Sequence, residues 1–142
     1  TTPLRQPDKL SEALSIIGNG SRFTSLRSAH EISEPPQKMY KLGAEGVWEG
    51  FFPDDPRPEY FNLPRQMFPT AYHPNGYVDI LKKSILRTGA EFYGDSIASY
   101  ITPHAVEIDQ PEDLEYLDYV ISQRDGDHLV RYLNSHFKSN FG

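Results

Sequence analysis

The chain has 142 residues, a net charge of -6 and no cysteine, which sets the scale at a single domain and excludes disulfide frameworks and thiolate metal sites. No apolar run approaches a membrane span and Thr1 to Arg5 does not read as a signal peptide, so a soluble, cytoplasmic protein is expected. Residues 1–94 hold 11 acids and 11 Lys/Arg and residues 95–142 hold 9 and 3, so no basic stripe is available for duplex nucleic acid. A solvated acidic face accounts for the C-terminal excess.

Gln6-Pro7 opens a helix whose Leu10, Ala13, Leu14 and Ile17 recur at helical spacing, and Gly18-Asn19-Gly20 stops it. Arg22 to His30 alternates as a strand. Met39 to Leu42 reads as a second, followed by a turn at Gly43 to Gly46 before Val47-Trp48. Six of the twelve prolines fall between Pro53 and Pro74, beside Tyr60, Phe61, Phe68 and Tyr72. That density excludes helix and central strand, and the rings exclude a solvated linker. An ordered extended arm that buries its aromatics is predicted. Val78 to Leu81 leads into a short helix ending near Arg87-Thr88-Gly89, and Ile97 to Ile101 is a strand.

Ala105 to Leu114 is read as a strand that ends in two carboxylates and runs into a helix. Period two points Glu107 and Asp109 to one side and Val106 and Ile108 to the core. Acids at the carboxyl end of a strand suit a divalent cation over a phosphate-bearing ligand. The alternative is an acidic strand end whose Asp109 caps the helix, with Glu112 three positions on and Pro111 in the first turn. That helix is expected to bury Leu114, Leu117 and Val120/Ile121, and a last one carries Leu129, Leu133 and Phe137 on one face. Strands interleaved with helices indicate an α/β fold. His30, His104, His128 and His136 show no metal spacing.

Five segments carry a resemblance: Thr1-Thr2-Pro3-Leu4-Arg5, Leu63-Pro64-Arg65-Gln66, Pro69 to Gly76, Phe92-Tyr93-Gly94-Asp95 and Val106 to Leu114. In this order and spacing, residues 1–121 resemble the C-terminal half of the acylneuraminate (CMP-sialic acid) cytidylyltransferases, with 122–142 as a helical extension outside the match. The resemblance implies part of a nucleotide-diphospho-sugar-transferase-like, Rossmann-type sheet with a protruding arm at 53–76. It also implies transfer of CMP from CTP to a nine-carbon acid sugar with Mg²⁺.

Residue by residue, the resemblance makes Asp109 the metal ligand and Glu107 its companion, where relatives often carry Asp. It gives Arg65 the sugar carboxylate, which a guanidinium fork suits, with Gln66 and Asn75 beside it. Lys38 sits where relatives face the acid sugar with lysine, the alternative being a solvated loop residue. His73 replaces a second arginine, which would make carboxylate binding pH-dependent; it could equally pack among the arm's aromatics. Phe92 and Tyr93 match an aromatic pair around the N-acyl group, or serve as core.

The family's Gly-rich, basic triphosphate loop has no counterpart in these 142 residues: Gly18 and Gly20 follow a helix and lack a neighbouring Lys. The expectation is a chain that begins in mid-fold, dimerises through 53–76, and is inactive unless an N-terminal half is supplied in trans. The alternative is a stand-alone, non-catalytic dimerisation or acid-sugar-binding module.

Overall fold

Alternating burial along one strand organises the sheet. In the computed structural model, which describes residues 2–87, 91–124 and 127–137 apart from the side chains of Arg87, Leu133 and Phe137, β1 spans Ser25–Ile32. It turns Leu26 and Ser28 inward and Arg27 outward. Strand β5 (Ile97–Ile101) pairs with it in parallel, Leu26 opposite Ala98 and Ser28 opposite Tyr100, so four inward positions fall on one face. Helix α1 (Pro7–Ile17) covers that face with Ala13 and Ile17. Tyr100 reaches across, its hydroxyl bonding the Lys9 carbonyl at 3.0 Å and Glu12 at 2.9 Å.

Leu14, expected in the buried stripe of α1, is 58% exposed. At 100° per residue it stands at one rim of the arc centred on Ala13 and Ile17, and Ile16, at the opposite rim, is the one that packs against the cluster.

Strand β4 (Ala71–Leu81) flanks β1 on its other side, giving the order β4-β1-β5 in a mixed sheet. The Ser28 hydroxyl accepts a bond from the Val78 N–H at 2.8 Å. Pro74 lies within β4 because β4 is an edge strand among the described residues, where a missing N–H costs no ladder bond. The short helix expected after it is a single 3₁₀ turn at Ile85–Arg87; Thr88-Gly89 lie outside the described residues.

The chain divides into two compact units, residues 30–73 forming one and the residues on either side the other. Within 30–73, strands β2 (Tyr40–Leu42) and β3 (Trp48–Gly50) form the expected hairpin, with Lys41 and Glu49 paired across it at 3.2 Å. Tyr60 is buried against Gly50, where an added Cβ would collide with the phenol, so only glycine fits. The proline-rich stretch is ordered, with 3₁₀ turns at Tyr60–Asn62 and Arg65–Met67, and Tyr60 and Phe68 are buried.

The strand expected at Ala105 to Asp109 does not form. The strand ends at Ile101, and a bond from the Thr102 N–H to the Ala29 carbonyl at 2.9 Å follows it. Pro103 then has no N–H to offer a ladder. The alternation survives without it: Val106 is buried, Ile108 half-buried, Glu107 and Asp109 exposed.

Helix α2 (Glu112–Ser122) starts later than expected, with Pro111 at the cap position. From the first turn Asp113 reaches back and accepts the N–H groups of Asp109 and Gln110, each at 2.8 Å, which ties the entering chain to the helix start. Those two bonds hold its carboxyl below the ordinary value. Leu114 is exposed and Leu117, Val120 and Ile121 are only half-buried. In α3 (His128–Phe137) Val130 is buried and Leu129 half-buried, while the side chains of Leu133 and Phe137 lie outside the described residues.

The result is a small α/β protein with three α-helices, a mixed three-stranded sheet and a two-stranded hairpin among the described residues. None of those helices is long and apolar enough to cross a membrane. Leu26 of β1, with no exposed surface, clusters with Ala13 and Ile17 of α1 and Ala98 and Tyr100 of β5. Leu26→Ala should therefore cost about 2–5 kcal/mol. Urea unfolding followed by circular dichroism measures this, and a loss under about 1 kcal/mol would show that the cluster is not the core.

Candidate functional site

Within residues 30–73 the Pro64-Arg65-Gln66 turn opens onto a cleft of about 540 Å³. Arg65 and Gln66 line it, with Glu31, Ser33, Phe68 and Thr70. The position of Arg65 follows from the local sequence. Pro64 presets an extended entry, a 3₁₀ turn spans Arg65–Met67, and the Phe68 N–H closes it on the Arg65 carbonyl at 3.1 Å. Phe68 is buried and anchors the turn; Arg65 and Gln66 point out into solvent. Among the described residues neither the Arg65 guanidinium nor the Glu31 carboxylate has an ion-pair partner. The cleft thus presents an uncommitted planar cation, a carboxamide, two hydroxyls and a carboxylate, a set that suits a polyhydroxylated acid.

Phe68 is itself clamped. The Arg57 guanidinium stands 4.9 Å from its ring centre and is fixed by Asp55, with contacts of 2.6 and 2.9 Å. Hydrogen bonds from Arg57 bring the Asp55 carboxyl down to about 2. Lys38 does not line the cleft. Its ammonium donates to the Leu63 carbonyl at 2.8 Å and braces the chain just before Pro64-Arg65. The exposed ring of His73 lies 5.7 Å from that of His30.

The other unit holds the remaining candidates. Asn75 is 2% exposed and its amide is used internally. Nδ2 donates to the Thr102 hydroxyl at 2.7 Å and Oδ1 accepts the Tyr77 N–H at 3.2 Å. Asn75 therefore positions its neighbours and is not open to a ligand. Gly76 follows with φ 59°, and the space its missing Cβ leaves is bordered by the Glu107 carboxylate and the Thr2 hydroxyl. Arg5 donates to the Gly76 carbonyl at 3.2 Å. The Pro-Asn-Gly turn, the Thr2 to Arg5 segment and Glu107 are thus brought together, although they lie far apart in sequence.

Glu107 and Asp109 are exposed, and no group of three His, Cys, Asp or Glu that could hold a metal occurs among the described residues. A donor set of carboxylates alone fits a hard cation such as Mg²⁺, which completes its shell with water and phosphate oxygens.

Phe92 is 64% exposed and stands edge-on to Tyr93 with ring centres 5.1 Å apart. Tyr93 is held from two strands: its hydroxyl donates to Asp79 of β4 at 2.9 Å, and Arg27 of β1 sits 4.8 Å from its ring centre. Burial, and then the bond to Asp79, raise the Tyr93 phenol above its ordinary value. Sequence reasoning missed Arg27, Asp79, Glu31 and Thr70. Arg27 and Asp79 meet only through strand pairing, and an isolated charge at a strand end carries no spacing signal.

No family model matches the chain, and no curated protein matches it significantly.

The Asp55–Arg57 clamp gives a pH dependence of definite sign. A carboxyl depressed to about 2 from 3.8 stabilises the folded state fully above 3.8 and loses that contribution as pH falls towards 2. The Arg57 Nε proton and the Phe68 ring resonances should move together between pH 4 and pH 2, and Asp55→Asn should remove that step. Resonances unchanged across the window in the unsubstituted protein would show that the pair does not hold the turn.

Proposed function

We propose that this chain forms the acid-sugar side of a cytidylyltransferase acting on a nine-carbon acid sugar, within a Rossmann-type, nucleotide-diphospho-sugar-transferase-like fold. The observation that carries this reading is the cleft in which Arg65 and Gln66 stand side by side with no ion pair on the guanidinium among the described residues. These two residues are the centre of one of the five segments that resemble the acylneuraminate enzymes.

In this reading Arg65 takes the sugar carboxylate through two parallel N–H bonds, fixing both position and orientation. Gln66 bonds a hydroxyl or amide of the sugar, and Lys38 holds the Leu63-Pro64 backbone that aims Arg65. His73 adds positive charge only when protonated. Phe92 supplies an apolar face for the N-acyl group, with Tyr93 fixed behind it by Asp79 and Arg27. Asn75 keeps Gly76 and its neighbours in place. Glu107 and Asp109 are the residues that would hold Mg²⁺, which when bound neutralises charge on the nucleotide phosphates. The reaction joins the sugar's anomeric hydroxyl to the α-phosphorus of CTP and releases pyrophosphate. Donors for the triphosphate come from outside these residues, because no Gly-rich basic loop occurs among them.

The exposed apolar side chains in and beside the proline-rich stretch favour a second reading, a non-catalytic acid-sugar-binding module that pairs with a second copy through residues 53–76. Exposed Phe51, Phe52, Met67 and Tyr72 in and beside that stretch give a partner apolar surface to cover.

Binding and turnover separate the two. N-acetylneuraminate titrated into the labelled chain should shift resonances around Arg65, and Arg65→Ala should weaken binding at least about tenfold, the cost of a lost charge-assisted bond. CTP and Mg²⁺ should give no pyrophosphate with this chain alone. With a nucleotide-binding half added in trans, turnover should appear, Asp109→Ala lowering kcat and Arg65→Ala raising the sugar KM. Sugar binding indifferent to Arg65→Ala sinks both readings. Binding without turnover under any complementation leaves the module.

A further inference from the structure

Two imidazoles that no spacing rule connects are brought face to face in the 30–73 unit. His30 belongs to β1 and His73 to β4, and their ring centres lie 5.7 Å apart with planes tilted by 51°. Two imidazoles bound to one tetrahedral ion at about 2.0–2.1 Å per bond stand with their ring centres about 5 Å apart. The observed separation is thus within a small side-chain rotation of a shared ion. His73 is exposed and can make that rotation, and His30 is half-buried.

We infer that His30 and His73 form a two-imidazole site for a late divalent transition metal ion. Imidazole nitrogen suits Zn²⁺, Ni²⁺ and Cu²⁺ and does not suit Mg²⁺, so the site is chemically distinct from the carboxylates Glu107 and Asp109. Its position has a consequence for the cleft. Side chains two apart on a strand share a face, which puts His30 with Ile32 and His73 with Ala71. Ile32 and Ala71 both line the cleft, so the ion sits at its end. No third His, Cys, Asp or Glu completes a cage among the described residues. The ion therefore keeps positions open for water or for an oxygen of whatever occupies the cleft.

The site can be tested without any sugar, nucleotide or turnover. The untagged 142-residue chain is titrated with NiCl₂ and, separately, with ZnCl₂ by calorimetry. One ion should bind per chain, and His30→Gln and His73→Gln should each weaken it at least about tenfold. Replacing His128 and His136 together with Asn should leave it within about twofold, and a large excess of Mg²⁺ should not displace the ion. His73 is exposed, so His73→Gln folds even if His30→Gln does not, and circular dichroism checks both. Affinity that His73→Gln leaves unchanged, or that the His128/His136 double substitution abolishes, overturns the assignment, as does the absence of any saturable binding.

Discussion

The buried amide of Asn75 is the constraint on which the rest of its unit depends. It has almost no contact with water, so each of its polar atoms must find a partner inside the protein or cost about 1–3 kcal/mol. Both atoms do: one binds the Thr102 hydroxyl, the other the Tyr77 N–H. Each partner extends the network. The Thr102 N–H bonds the Ala29 carbonyl of β1, and the Tyr77 hydroxyl accepts the Gln6 N–H at 2.7 Å. Gln6 in turn donates to Asp127 at 2.9 Å. One side chain thus ties together the middle of the central strand, the loop after β5, the entry to α1 and the segment before α3. Gly76, between Asn75 and Tyr77, inherits its place from it.

Much of this architecture was legible in the sequence, and the elements that were share a cause. Helix α1, the β2–β3 hairpin and β5 each bury a face or close a turn locally, so their period shows in a short window. The segment at 105–109 kept the alternation of a strand without the strand, because period two reports which side chains are buried and says nothing about a ladder partner. The start of α2 failed for a related reason. Asp109 and Asp113 both carry capping chemistry, and the choice between them rests on where Pro111 lets the helix begin.

The candidate residues divide along similar lines. Arg65 and Gln66 were named by resemblance to a contiguous motif, and the turn set by Pro64 and anchored by Phe68 is what puts both on the cleft. Asn75 was visible as part of the same run of motifs, yet its role is internal, and nothing in a polar residue type distinguishes a ligand contact from a satisfied core amide. Pairs such as Tyr93 with Arg27, or His30 with His73, exist only once β1 and β4 lie side by side. Strand register creates them, and register is a property of the assembled sheet.

Trp48 is the chain's single tryptophan, and it projects from the β2–β3 hairpin with two-thirds of its surface in water. Intrinsic emission excited at the red edge therefore comes from the 30–73 unit alone. An indole already in water changes colour little when its surroundings unfold. The sheet, its helices and the Asn75 network carry tyrosines and no tryptophan, so they can melt without moving that signal. Optical work on this protein has to read the two units through different chromophores, and a flat tryptophan trace is no sign of an intact sheet.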